Sequence, residues 1–257
     1  SGAFSGSGGA ANYTGFGLQD SQLSLIQNLY LQFETTYSST AAADVYTMRP
    51  GWMCLDRVEF RFDGGNSSVV LDPLSQHLLA ISSQSDEAYR NCAEDMGMSK
   101  TSRTTVLPFS AATASGESFP RTFRLKLSSV FESGQIYPQG ISSQLEIRCY
   151  WNSTAHSAVT GSPSAITLTS CNLLVEESHL DLATTRKKLA LYASPQGVSF
   201  RYPDIRTSVH TFNGVTTGTS YSQILQSHVG YNSAYLIYFR STSKAGAAEY
   251  TLVSPTD

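Results

Sequence analysis

An apolar residue at every second position, repeated in segment after segment, is what most constrains this chain. Val58, Phe60 and Phe62 alternate with Arg57, Glu59 and Arg61. Phe123, Leu125 and Leu127 alternate with Arg124 and Lys126, and Leu145, Ile147, Cys149 and Trp151 alternate with Glu146, Arg148 and Tyr150. Neighbouring side chains of a strand point to opposite faces, so each segment reads as a strand with one face buried and the other in water. Leu23, Leu25, Leu29, Leu31 and Phe33 predict one long strand or two short ones, and Ile166 and Leu168 lead into another through Leu173, Leu174 and Val175. Turn chemistry separates the runs at Asp63-Gly64-Gly65-Asn66, Ser133-Gly134, Pro138-Gln139-Gly140 and Gly161-Ser162-Pro163. Short strands at this spacing predict an all-β fold, an antiparallel sandwich or jelly roll.

One segment keeps a different period. Asp72 is placed to cap a helix and Pro73 to open it, since the missing N–H of proline costs nothing there. Leu74, Leu78, Ile81, Ala88 and Cys92 then share one face, opposite Gln76, Ser83, Glu87 and Arg90. This predicts a single helix, whole or broken, near 73–95, acting as a plug across one end of the sandwich. Residues 1–20, rich in Gly, Ser and Ala, read as a flexible N-terminal arm. They show neither an initiator Met nor the pattern of a signal peptide, which reads as a processed or incomplete start. Residues 21–196 read as the main sandwich. Residues 197–257, beginning again after Pro195-Gln196-Gly197, are too short to enclose a full sandwich and read as the start of a second one or as a C-terminal extension.

Composition narrows the function. Charged residues are only 14% of 257 and the net charge is −3, so the basic excess of a nucleic-acid binder is missing and no specific nucleic-acid site is evident. No apolar run approaches the length that spans a membrane as a helix. Cys54, Cys92, Cys149 and Cys171 contain no C-x-x-C pair, which argues against zinc and favours buried free thiols. A single bridge stays open as an alternative. Sequons at Asn12, Asn66 and Asn152 matter only if the chain is secreted.

The search for chemistry nominates no catalytic, cofactor-binding or metal-binding residue. His77, His156, His179, His210 and His228 lack metal-ligand spacing, and His179 with Asp181 has no nucleophile motif beside it. Glu176 and Glu177 point to opposite faces of a strand, and Glu94-Asp95 is no better matched to a single substrate. Gly6-Ser7-Gly8-Gly9-Ala10-Ala11 follows no strand and opens no helix, so its match to a nucleotide fingerprint is accidental. The basic run Arg186, Lys187 and Lys188 reads first as a solvated face.

A family resemblance rests on residues 121–206. Arg121-Thr122-Phe123-Arg124-Leu125-Lys126-Leu127 is followed by Val130-Phe131, Ile136-Tyr137-Pro138, Gly140-Ile141 and the strand at Leu145-Glu146-Ile147. This series resembles the double-jelly-roll major capsid proteins of the adenovirus hexon, polinton-like virus and virophage lineage. The resemblance implies that 166–177 closes a first roll, that 189–203 is a linker, and that 209–240 opens a second roll, incomplete here. It implies a structural, non-enzymatic role in the virion, with no cofactor. The partners implied are further copies of the chain, in homotrimers that form pseudo-hexameric capsomers of an icosahedral shell around double-stranded DNA. Neighbouring capsomers, penton and minor capsid proteins are further implied contacts. The alternative is a β-sandwich carbohydrate- or receptor-binding module, which needs aromatics such as Trp52 or Tyr150-Trp151 exposed at loop tips.

Overall fold

The computed structural model describes residues 2–3, 13–18, 24–39, 50–62, 67–82, 84–103, 105–107, 114–127, 145–152 and 166–198. The strands in chain order are β1 (Gly2–Ala3), β2 (Tyr13–Leu18), β3 (Ser24–Ser38), β4 (Leu55–Phe62), β5 (Ser67–Leu71), β6 (Ser118–Lys126), β7 (Leu145–Trp151) and β8 (Ile166–His179). They form two four-stranded antiparallel sheets, sheet A ordered β1-β8-β3-β6 and sheet B ordered β2-β7-β4-β5.

One operation generates that order. β4 pairs with β5, β3 with β6, β2 with β7 and β1 with β8, as in a single ribbon doubled back between β4 and β5. Winding the ribbon then sets β3 beside β8 and β4 beside β7. Both sheets are thereby completed from strands distant in sequence, the arrangement of a jelly roll. The Asp63-Gly64-Gly65-Asn66 turn lies outside the described residues, but the strands on either side of it pair with Phe62 opposite Ser67.

The expected alternation fills the interior. Leu29, Leu31 and Phe33 of β3 and Phe123 and Leu125 of β6 meet Val58 and Phe60 of β4 and Ile147, Cys149 and Trp151 of β7. Phe33 stacks on Phe123 with ring centres 5.1 Å apart, and it meets Trp151 edge-on at 5.1 Å. The indole N–H of Trp151 donates to Thr14 Oγ1 at 3.0 Å, so this buried donor is satisfied.

Two expectations are corrected and a third is made specific. The flexible arm over 1–20 fails at Gly2–Ala3, which pairs with β8, and at Tyr13–Leu18, which pairs with β7 along its whole length. Phe16 and Leu18 of β2 pack against the core, while Gly15 and Gly17 occupy the alternate positions. Glycine at those places hides a period of two that is nonetheless present. The helix read as whole or broken near 73–95 is broken, into α1 (Pro73–Ser82) and α2 (Asp86–Cys92), followed by a 3-10 turn at Glu94–Met96. Asp72 caps α1 by accepting from Ser75 N–H at 3.0 Å, as predicted, but Ser85 begins a new cap by accepting from Ala88 N–H at 3.3 Å. That break resets the buried face. Tyr89 is buried where Ala88 was expected, and Gln76, placed on the polar side, is buried too. Finally, α3 (Leu182–Tyr192) follows β8, where only a linker beginning at 189 was expected. Asp181 starts it by accepting from Thr184 N–H at 2.9 Å.

The plug between β5 and β6 packs on β6, where two glycines, one in the plug and one before β4, let backbone approach an aromatic ring. A Cβ on Gly51, in the 3-10 turn Gly51–Cys54, would stand 2.7 Å from the Phe123 ring, and one on Gly97 would stand 2.9 Å from it. Gly97 also has φ +80°, a conformation that side chains rarely adopt. Arg103 ties the plug together, donating to Ile81 O at 2.6 Å and to Gln84 O at 2.9 Å. Residues 199–257, expected to open a second roll, lie outside the described residues, as does the loop at 136–141.

Candidate functional site

The outer face of sheet B carries an interlocked grid of charges and rings. β7 presents Glu146, Arg148 and Tyr150, and β4 presents Arg57, Glu59 and Arg61. Register sets Tyr150 opposite Arg57, Arg148 opposite Glu59 and Glu146 opposite Arg61. Each cation therefore meets an acid or an aromatic face. The Arg57 guanidinium lies 3.8 Å from the Tyr150 ring centre, and Arg148 lies 4.8 Å from that of Tyr13. Tyr150 donates to Glu59 Oε2 at 3.1 Å and Arg57 donates to Glu59 Oε1 at 2.8 Å. Partial burial pushes the Glu59 carboxyl up, but those two hydrogen bonds and the nearby arginine charges outweigh it, and the net shift is downward.

Sheet A is finished with amides and hydroxyls instead. Arg124 donates to Gln32 at 3.3 Å, Thr169 to Glu34 at 2.7 Å and Asn28 to Glu176 Oε2 at 2.6 Å. Its β6 edge lies under the plug. At the other edge, among the described residues, β8 is paired only at Thr167 and Leu168, by β1. Residues 169–179 have β3 on one side and no described strand on the other. Cys171, Leu173 and Val175 point into the sandwich there but are only half-buried.

The residues singled out from sequence do not converge. Trp52 and Trp151 are in the core, and Tyr150 lies beneath Arg57, so none forms an exposed aromatic platform. Asp181 caps α3, Glu94 pairs with Lys100 at 2.8 Å, and Arg186 and Lys187 are exposed on α3. Among the described residues no group of three or more His, Cys, Asp or Glu side chains is placed to hold a metal. The four cysteines are unbridged. Cys54 and Cys149 are buried as expected, while Cys92 and Cys171 are only half-buried. Burial pushes the Cys149 thiol up and Cys171 to about 12, which suppresses the reactive thiolate.

Sequence reasoning missed His77. It sits on α1 with 0% exposure, and neither ring nitrogen has a hydrogen-bond partner. Burial alone lowers its pKa to about 4. Nothing in the sequence marks it, because its helix position falls between the expected apolar and polar faces.

These surfaces pair and pack; the strand order is the feature to set beside known proteins. No family model and no curated protein matches the chain. Several solved structures are similar in fold. The crystal structure of PBCV-1 VP54, fitted into a cryo-EM reconstruction of the virophage Sputnik, is similar with TM-score 0.47 and 14% identity over 73% of this chain and 43% of that one. A quasi-atomic model of the PBCV-1 virus capsid gives 0.45 and 14% over 72% and 42%, and the crystal structure of the STIV MCP gives 0.41 and 8% over 69% and 46%. The chain thus spans less than half the length of each of these proteins.

Proposed function

We propose that this chain is the shell-forming part of a viral major capsid protein, non-enzymatic, with residues 2–179 as a first jelly roll and 197–257 as the opening of a second. The supporting observation is the wound ribbon itself, with its two sheets ordered β1-β8-β3-β6 and β2-β7-β4-β5. A sandwich of this kind offers flat faces and strand edges for lateral contact, and rotational symmetry turns one such contact into a closed ring. In this reading three copies form a pseudo-hexameric capsomer, capsomers tile an icosahedral shell around double-stranded DNA, and penton and minor proteins join at its margins.

The test is native mass and particle imaging of the purified protein. Trimers or larger shells are expected. A strict monomer at high concentration overturns the reading, and selective glycan binding by that monomer replaces it with a recognition module.

A further inference from the structure

We propose that the plug is an acid-operated lid: protonation of His77 lifts α1 and α2 off the end of the sandwich while the two sheets stay folded. This goes beyond the capsid reading and does not depend on it.

The place of the imidazole supplies the first ground. His77 has 0% exposure, and neither Nδ1 nor Nε2 has a hydrogen-bond partner. A neutral ring is tolerated there with its polar atoms unmatched. A protonated ring brings two N–H donors and a full charge into a place with no acceptor for them. Only water can relieve that, and water reaches the ring when α1 moves.

The surroundings supply the second, because they hold no counter-ion for the ring. Among the described residues, α1 packs on the 3-10 turn Gly51–Cys54 and on β4. The one titratable side chain of that turn is Cys54, whose Sγ lies 3.9 Å from Pro50 O. On β4, Arg57 pairs with Asp56 at 3.4 Å and Glu59 at 2.8 Å, and Arg61 pairs with Glu146 at 3.7 Å. These groups lie on the outer face of sheet B. Elsewhere on the plug, Asp72 caps α1, Asp86 pairs with Arg103 at 2.6 Å, and Glu94 pairs with Lys100 at 2.8 Å. Cys92 donates to Gln84 at 3.1 Å, and Glu87 and Arg90 are exposed. Burial is accordingly the whole cause of the lowering of the His77 pKa to about 4.

The third ground is that the plug is tied to itself. Arg103 donates to Ile81 O and Gln84 O, and Tyr89 Oη lies 2.9 Å from Ser99 O and 3.1 Å from Ser102 O. The two helices and the turn after them are thereby joined. What α1 adds to the core is Leu78 and Ile81, and apolar contact has no direction and parts without breaking a ladder bond.

The closed lid takes up the proton only near pH 4, and the open one near the ordinary value of 6.5. The opening constant therefore rises as the pH falls from there and stops rising below about pH 4. Between pH 7 and pH 5 the rise is about 20-fold, in a window above the range of ordinary carboxylates.

Amide exchange of the full chain at pH 7 and pH 5, corrected for the intrinsic pH dependence of exchange, tests this. Protection of α1 and α2 amides should fall about 20-fold while that of β3 and β6 holds. His77→Phe should abolish the change. Equal loss in plug and sheets, no loss in the plug, or the same loss in His77→Phe overturns the lid. Should that variant not fold, the wild-type ring decides. Its Cε1 proton resonance should keep the neutral position down to pH 5 in the closed molecule, and a titration near pH 6.5 with plug amides still protected overturns the proposal.

Discussion

The two long edges of sheet A are finished in opposite ways. At β6, Gly97 of the plug and Gly51 of the turn before β4 press on Phe123, and Phe123 and Leu125 are fully buried. At β8 the corresponding inward residues, Leu173 and Val175, are half-buried, and the backbone has a side with no described partner. The difference teaches that, among the described residues, one flank of the sandwich is sealed by packing on Phe123 while the other leaves its inward residues half-covered. Truncation should expose this most clearly. Phe123→Ala should cost about 3–5 kcal/mol in urea unfolding, the range for emptying an aromatic core position. Leu173→Ala should cost about 1–2 kcal/mol in the dilute protein, because only part of its surface is removed from water. Equal losses would erase the distinction.

The plug should also be the acid-sensitive part of the molecule. His77 is held neutral by burial, so the unfolded chain takes up a proton before the folded chain does. Stability is complete above about pH 6.5, is lost as the pH falls from there, and levels off below about pH 4. At about 1.4 kcal/mol for each unit between the two values, the loss approaches about 3 kcal/mol. His77→Phe should flatten that slope in denaturation measured from pH 7 to 4, and an unchanged slope would move the effect elsewhere. Exchange of plug amides at 73–103 should rise before that of β3.

Smaller effects sharpen the same contrast. Gly97 and Gly116 share the left-handed conformation, with φ +80° and +86°, but a Cβ at Gly116 meets nothing within 4 Å. Gly97→Ala should therefore cost about 1–3 kcal/mol and Gly116→Ala clearly less, the gap reporting the pressure on the Phe123 ring. Smallest of all, Arg57→Ala on sheet B should cost about 0.5–1 kcal/mol, since its ion pair and ring contact are part-exposed. Thermal denaturation in low and high salt should show that value shrinking as salt rises.

How much of this was legible depended on the range of the forces involved. The strands at 55–62, 118–126 and 145–151 announce themselves because alternation is local, and Asp72-Pro73 announces α1 for the same reason. β2 escaped because glycines at 15 and 17 blank out half of its pattern, and α3 because Thr184, Thr185 and a basic run obscure a helix that Asp181 nonetheless caps. The plug was foreseen, whole or broken, but not the place of its break at Ser85, and with that went the correct buried face. Which strands meet was out of reach, since strand order is not a property of any one segment. The histidine on α1 was equally silent, because its isolation is a property of what surrounds it.

The doubled ribbon also orders events in time. Its hairpin, β4 with β5, joins near neighbours, whereas β3 and β8 meet across Asn28 and Glu176, separated by 148 positions. Distant closures of this kind are slow because the chain gives up freedom before contacts reward it. β8 is thus held flat against β3 only once winding is done. The sandwich as a surface therefore exists only after its most distant strands have met, so the topology acts as a timer on anything that needs the finished fold.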